Sequence, residues 1–572
     1  MRIKFFKLIL FSLFIFLTTY IFYLEVIRGK YYRELSKNNS IRIIPEEGAR
    51  GRILDRNSNV IVDNYLSFDV LVLASDMKDK DRTLSRLSAI LGVSEDTLRQ
   101  RLSSRYLAPF APVAIAENID RSQAIRLQML AQELPGVILR TTPKRNYPFG
   151  SIASQTIGYL GEIDYWRLEK LQDYGYKAKD SVGYGGVEER YDYYLRPIQG
   201  GLQVEVDHRG RFKRTLGFKY PANGKDVQLT IDLKLQSIVE ACLSQNSNNG
   251  AVILMDPLTG EILAMVSFPE FNPEVFLKDS PEAKQKIFTH PDAPLFNRAV
   301  SSACQPGSVF KLMTAISALS EGKIRPSTTF YCPGSMRVGR RVFSCWNTHG
   351  VQNFYQAVAH SCDVYFYHTG LAAGPQGIFE YATKFGLGRP TGIDIPQEVS
   401  GFIPSPAWRR ANKKQNWYDG DTANFAIGQG ETQVTPLQLT RMMAAFANGG
   451  YLVTPYIVKG IDGKDVSSNR RKIYALGVNK DYIKIVYRAL RGVVEDEHGT
   501  ADILNLSKVA VAGKTGTAEA PPHQPHSWFV GFFPYESPRF VICVFLEHGG
   551  SSHYAAMVAK NIIDKMVEEG LL

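Results

Sequence analysis

Pro306-Gly307-Ser308-Val309-Phe310-Lys311-Leu312-Met313-Thr314-Ala315-Ile316-Ser317-Ala318-Leu319 is the stretch from which the rest of the chain can be read. The Pro-Gly pair signals a helix start, predicting a helix from Ser308 to about Ser320. Its residues are apolar almost all round, which is the pattern of a buried helix. Within it stands one ionisable side chain, Lys311. Positions i and i+3 share a helix face, so the Lys311 amine is expected to reach the Ser308 hydroxyl. Burial disfavours an ammonium ion, so a dehydrated Lys311 suits the role of base toward a serine nucleophile. Ser-x-x-Lys by itself also arises by chance, and the apolar surroundings are what make it informative.

Two further segments follow in fixed order. Ser361-Cys362-Asp363 precedes the apolar, helical Val364-Tyr365-Phe366-Tyr367. Ser361 there suits a proton relay and Asp363 a hydrogen-bond anchor, although the same pattern also reads as a helix cap. Val509 to Ala518 then reads as a strand of small and β-branched residues containing Lys514-Thr515-Gly516-Thr517. Lys514 with the hydroxyls of Thr515 and Thr517 suits a carboxylate, and Gly516 permits close backbone approach. The amides of Ser308 and Thr517 would form an oxyanion hole. The bland alternative for this segment is an exposed strand with a solvated lysine. The ordered triplet describes a serine acyl-transfer site whose base is a lysine.

Around these motifs, Gly250–Met255 and Glu261–Val266 predict a β-hairpin across the turn Asp256-Pro257-Leu258-Thr259-Gly260. Ser527–Phe533 and Arg539–Leu546 predict a second antiparallel pair, followed by a helix from Tyr554 to Glu569. Strands at both ends with helices between imply an α+β domain whose terminal elements share one sheet. A turn-rich break at Pro221-Ala222-Asn223-Gly224 sets a boundary, giving a domain over 223–572 and a mixed region over 25–222. In the latter, residues 77–135 read as helix-rich, and Tyr31 to Asn39 as a short juxtamembrane helix.

The chain has 572 residues, too many for one core. Its net charge of +11 is spread along the sequence without a dense basic block, which argues against nucleic acid as partner. Residues 8–24 carry no charge and, with Phe5 and Phe6, approach the length of a bilayer span. No small-residue cleavage site follows, so an uncleaved anchor is favoured over a signal peptide, with residues 1–7 outside the span. The flanking positive charges nearly balance and leave its orientation open. Six cysteines are too few for a disulfide scaffold. Cys332, Cys345, His349 and Cys362 form a ligand set suited to a tetrahedral Zn²⁺ site, with a Cys332–Cys345 disulfide or free thiols as alternatives.

Together with Arg50-Gly51-Arg52-Ile53-Leu54-Asp55-Arg56, Ile157-Gly158-Tyr159-Leu160-Gly161, Met255-Asp256-Pro257-Leu258-Thr259-Gly260-Glu261, Phe296-Asn297-Arg298-Ala299 and Gly428-Gln429-Gly430, the three motifs resemble class B penicillin-binding proteins of the elongation type. Asp363, where division-type relatives usually carry asparagine, sides with the elongation type. The resemblance implies a single transmembrane helix, an elongated pedestal and a transpeptidase domain built on an antiparallel sheet sandwiched by helices. It implies a β-lactam-sensitive D,D-transpeptidase that cross-links peptidoglycan stem pentapeptides on lipid II-derived glycan during cell-wall elongation, with a division-type transpeptidase or a non-enzymatic β-lactam-binding scaffold as alternatives. Ser308 becomes nucleophile, Lys311 base, Ser361 relay, and Lys514 with Thr515 the carboxylate clamp. No cofactor is required for the chemistry, while a metal cluster at the cysteines is a family feature. Implied partners are a SEDS-type glycosyltransferase and membrane proteins of the elongation complex. The implied location is the bacterial inner membrane, N-terminus cytoplasmic and bulk periplasmic. Ala303-Cys304-Gln305-Pro306-Gly307 departs mildly from the family's usual run before the nucleophile.

Overall fold

The computed structural model describes residues 2–32, 41–74, 76–77, 79–104, 112–206, 212–246, 249–278 and 280–572. Two compact units emerge. One comprises Met1–Gly51, Asn64–Asn146 and Arg196–Gly224, the other Arg52–Asp63, Tyr147–Leu195 and Lys225–Leu572.

The N-terminal helix Arg2–Phe22 continues as a single π turn, Tyr23–Ile27. Ile3–Ile27 is long and apolar enough to cross a membrane, and its most apolar stretch is not buried against any other described residues. It exceeds residues 8–24 because the helical backbone runs on through the charges flanking the apolar stretch. The expected juxtamembrane helix over residues 31–39 lies mostly outside the described residues.

In the smaller unit, strand Gly200–Val206 pairs antiparallel with Ile41–Glu46 and with Phe212–Lys219. The later part of strand Val60–Val72 pairs with Val113–Ile119 and with Val137–Asn146. Helices Lys80–Leu91, Glu95–Ser104 and Arg121–Met129 enclose a core of Val70, Val72, Leu84, Leu87, Leu98 and Ile115. Val113–Ile119 lies inside the stretch read as helix-rich; its Val-Ala-Ile-Ala pattern alternates over too few residues to stand out beside three helices. Asp69 is buried here. Burial alone would raise its carboxyl, but hydrogen bonds from Thr142, the Asn118 amide and Arg140 outweigh that and hold it below its usual value.

The larger unit centres on a five-stranded, wholly antiparallel sheet. Its elements are α1 (Leu233–Ser244), β1 (Gly250–Met255), β2 (Ile262–Phe268), α2 (Lys311–Ser320), α3 (Asp363–Lys384), α4 (Pro436–Ala447), α5 (Lys480–Glu495), β3 (Ala512–Ala518), β4 (His526–Phe533), β5 (Phe540–Leu546) and α6 (Ser552–Glu568). Strand order is β2-β1-β5-β4-β3, so both ends of the domain share one sheet and β3 is an edge. β4 and β5 are buried along their whole length, since α6 packs against one face and α4 against the other. Two covered faces explain why these strands read as unbroken apolar runs rather than alternating ones.

The arginine-rich segment at 50–56 also gains a physical reason. Arg52 makes a two-pronged contact with Asp226 through Nε at 3.0 Å and Nη2 at 2.6 Å. Buried Asp55 accepts the amides of Asn57 and Asn59 at 2.8 and 2.7 Å, closing the turn by its own side chain.

Glu240, on α1, is buried and accepts the Ala153 amide at 2.7 Å and the Gln236 side chain at 2.8 Å. Burial, reinforced by Glu270, pushes its carboxyl from 4.5 up to about 8. The folded state therefore holds this proton more tightly than the unfolded chain. The resulting stability is fully present below pH 4.5 and is lost as pH rises through about 8. Glu240→Gln is expected to flatten that decline, read as urea midpoints of the detergent-solubilised protein between pH 5 and 8.5.

Candidate active site

The stretch read as a helix from Ser308 begins one step tighter. Gly307–Phe310 is a 3₁₀ turn and the α-helix α2 starts at Lys311. In a 3₁₀ turn, residues i and i+3 eclipse, which keeps Ser308 and Lys311 on one side of the turn; among the described residues the Lys311 amine bonds to Ser361 and Asp363 rather than to the Ser308 hydroxyl it was expected to reach. Ser308 is half-buried, and Lys311 has no solvent exposure.

Around the Lys311 amine the second motif supplies the polar partners seen among the described residues. Nζ donates to the Ser361 carbonyl at 2.7 Å and to Ser361 Oγ at 3.2 Å, and pairs with Asp363 Oδ1 at 2.8 Å. The Phe366 ring centroid lies 5.5 Å away. Asp363 opens α3, where its other oxygen accepts the Trp346 amide at 3.4 Å. Ser361 adopts a left-handed φ of +52°, costly for a non-glycine residue and imposed where one helix ends and the next begins.

The third motif lies on edge strand β3, pressed against the 3₁₀ turn. A Cβ at Gly516 would stand 2.7 Å from the Pro306 carbonyl oxygen and 2.9 Å from Val309 Cγ2. A Cβ at Gly307, whose φ is +53°, would stand 2.4 Å from the Thr517 carbonyl oxygen. No side chain fits at either place, so the two glycines set how closely strand and turn approach. Lys514 is fully buried, with Nζ donating to the Thr515 carbonyl at 3.3 Å. Burial, joined by the charge of Lys311, drives its amine well below the usual lysine range, and Asp363 opposes the shift. Thr515 is buried, whereas Thr517 is exposed and accepts the Ser552 amide at 3.3 Å.

Sequence reasoning missed Thr500, whose Oγ1 lies 2.6 Å from Thr515 Oγ1 and fixes that hydroxyl. It sits in the loop after α5 and carries no motif. Gln429, inside the quoted Gly428-Gln429-Gly430, donates to the Thr517 carbonyl at 3.5 Å. Trp528 Nε1 donates to the Gln305 carbonyl at 3.0 Å, tying the loop before Ser308 to the sheet.

The folded chain also gathers Cys332, Cys345, His349 and Cys362, with one ligand atom of each within 4.8 Å of all the others. His349 Nδ1 faces Cys332 Sγ at 3.6 Å and Cys345 Sγ at 3.4 Å. Ligands about 2.3 Å from a tetrahedral zinc would stand roughly 3.8 Å apart, so the spacing fits. All six cysteines are unpaired. Cys345 Sγ accepts the Asp363 amide at 3.2 Å, linking this cluster to the partner of Lys311.

Residues 250–567 match the family model for the penicillin binding protein transpeptidase domain, and residues 45–229 that for the penicillin-binding protein dimerisation domain. The chain belongs to the penicillin-binding proteins. A peptidoglycan D,D-transpeptidase, MrdA, of Acinetobacter baumannii is 32% identical over 571 residues, covering 95% of this chain and 84% of its own. MrdA of Escherichia coli K12 is 29% identical over 573 residues, covering 95% and 90%. Helicobacter pylori PBP2, solved in complex with MreC, superposes with a TM-score of 0.81 at 28% identity, covering 93% of this chain and 99% of that one. This family assignment rests on the whole length, so the departure at Ala303-Cys304-Gln305 is confined to a loop that the sheet still anchors through Trp528.

Because the Lys514 amine sits below its ordinary 10.5, its positive charge is lost earlier than usual as pH rises. The alkaline limb of penicillin acylation is expected well below pH 10.5, and Lys514→Arg is expected to move it upward. Stopped-flow acylation across pH checks this; an unmoved limb would assign it elsewhere.

Proposed function

We propose that the protein is a serine D,D-transpeptidase that cross-links peptidoglycan stem peptides during cell-wall elongation and is acylated by β-lactams. The observation that carries this reading is the Lys311 amine, dehydrated and bonded at once to Ser361 and Asp363, three residues after a half-buried serine.

Ser308 Oγ attacks the carbonyl of the penultimate D-alanine as its proton passes to Lys311. The amides of Ser308 and Thr517 receive the developing oxyanion. The C–N bond then breaks, and the terminal D-alanine leaves with a proton relayed through Ser361. The amine of a neighbouring stem attacks the acyl-enzyme, yields its proton back along the same route, and restores Ser308. Lys514 and Thr515 hold the terminal carboxylate, with Thr500 orienting the Thr515 hydroxyl and Gly516 letting the peptide backbone approach. Asp363 positions both Lys311 and, through it, Ser361.

Cys332, Cys345, His349 and Cys362 would hold a structural zinc ion, whose chemistry is to fix four side chains rather than to react. Its effect would reach the site through Cys362, between Ser361 and Asp363 in the chain. Residues 8–24 anchor the protein in the inner membrane, with residues 1–7 cytoplasmic and the bulk outside, where the substrate is. Residues 25–222 serve as a pedestal for partners and residues 223–572 carry the transpeptidase. Support for elongation-complex partners, including a SEDS-type polymerase, comes from H. pylori PBP2 with MreC and from a related structure described as a peptidoglycan synthase complex coordinating polymerization and crosslinking.

Fluorescent penicillin is expected to label the protein covalently, and Ser308→Ala to abolish labelling. Lys311→Ala should slow it by about 10²–10⁴-fold. Unimpaired labelling of Ser308→Ala would sink the reading. For the metal, purified protein is expected to carry about one zinc per chain; less than about 0.2 without chelator would remove the ion.

A further inference from the structure

Apart from the serine site, the larger unit contains a cavity of about 360 Å³, lined in part by Thr391, Asp394, Arg441, Thr454, Arg470 and Lys472. None of its lining residues belongs to the three motifs or to the cysteine cluster.

Arg441 is the unusual member. It projects from α4 and is only 7% exposed, yet a single hydrogen bond holds it, from Nε to the Val453 carbonyl at 2.7 Å. A guanidinium carries five N–H donors, so Nη1 and Nη2 are left without protein partners among the described residues. They are not sealed in the apolar core as orphaned donors, for they retain access to the cavity. Nearly buried, unmet donors are costly to leave so, and cheap to satisfy with a ligand.

The acids nearby are already committed. Glu398 accepts the Thr391 amide and hydroxyl at 2.6 and 2.5 Å and the Gly392 amide at 3.0 Å. Asp394 accepts the amides of Ile457 and Val458 at 2.7 and 3.1 Å and the Tyr191 hydroxyl at 2.6 Å, and pairs with Arg470 at 3.3 Å. Arg441 and Lys472 thus remain as cations without an ion pair among the described residues, on one cavity. Burial pushes Arg441 below its ordinary value against the pull of Glu398 and Tyr474, a strain that a bound anion would relieve.

We propose that this cavity is an oxyanion site, in which the Arg441 fork and Lys472 hold a phosphate- or carboxylate-bearing ligand by charge-assisted hydrogen bonds. Its volume exceeds a single phosphate group, and Pro455 and Tyr474 stand beside the charges to meet an organic body.

Isothermal titration of the detergent-solubilised full chain at fixed ionic strength tests this, with pyrophosphate and citrate as separate probes that distinguish the two anion chemistries. One saturable site per chain is expected for at least one probe. Lys472→Ala should weaken it about ten- to a hundredfold and Arg441→Gln should abolish it, with penicillin labelling of Ser308 unchanged in both. Lys472→Glu, a surface change that does not threaten folding, carries the test if the Arg441 variant fails to fold. Absence of saturable binding of either probe at roughly 10 mM, or undiminished binding by Lys472→Glu, overturns the proposal.

Discussion

Lys311 places an amine where no water reaches, and three acceptors surround it: the Ser361 carbonyl, the Ser361 hydroxyl and the Asp363 carboxylate. Two come from Ser361, between helix Phe354–Ala359 and α3, and the third from Asp363, the first residue of α3, so two distant parts of the sequence are fixed on one atom. Removing one partner from a buried ion pair costs roughly 3–5 kcal/mol, because the other charge is left uncompensated. The left-handed backbone at Ser361 is sustained by that demand: relaxing it would withdraw the carbonyl and the hydroxyl together. Catalytic geometry and local stability are therefore one constraint here.

A second constraint is steric. Gly307 and Gly516 face backbone or side-chain atoms at distances that exclude any Cβ, so the strand bearing Lys514 and the turn bearing Ser308 meet at a separation set by the main chain. The charges then interact across this narrow gap, and the shift at Lys514 is caused partly by Lys311 and opposed by Asp363. Preorganisation of this kind lets donors act on a developing charge without rearranging first.

Much of this was legible because it is periodic or covalently local. The apolar helix around Lys311, the hairpin at 250–268 and the terminal strands carry their signals within single windows of sequence. The 3₁₀ start at Gly307 was not legible, since i and i+3 share a face in either helix type. Thr500 meets Thr515, and Arg441 lines its cavity, only through tertiary folding between residues with no common pattern. In the smaller unit the strand Val113–Ile119 was hidden by stronger helical periodicity on both sides. The cysteines were legible as a set, yet their convergence to within 4.8 Å depended on two small hairpins, Phe330–Cys332 with Gly350–Gln352 and Ser335–Val338 with Arg341–Ser344.

Among the described residues, β3 closes one side of its sheet and pairs with β4 alone. Its outward row of amides and carbonyls is a template onto which an extended peptide can be added as a sixth strand, bonded main chain to main chain. Such docking reads the direction and extension of a guest more than its side chains. A guest held this way would be gripped mainly along its backbone.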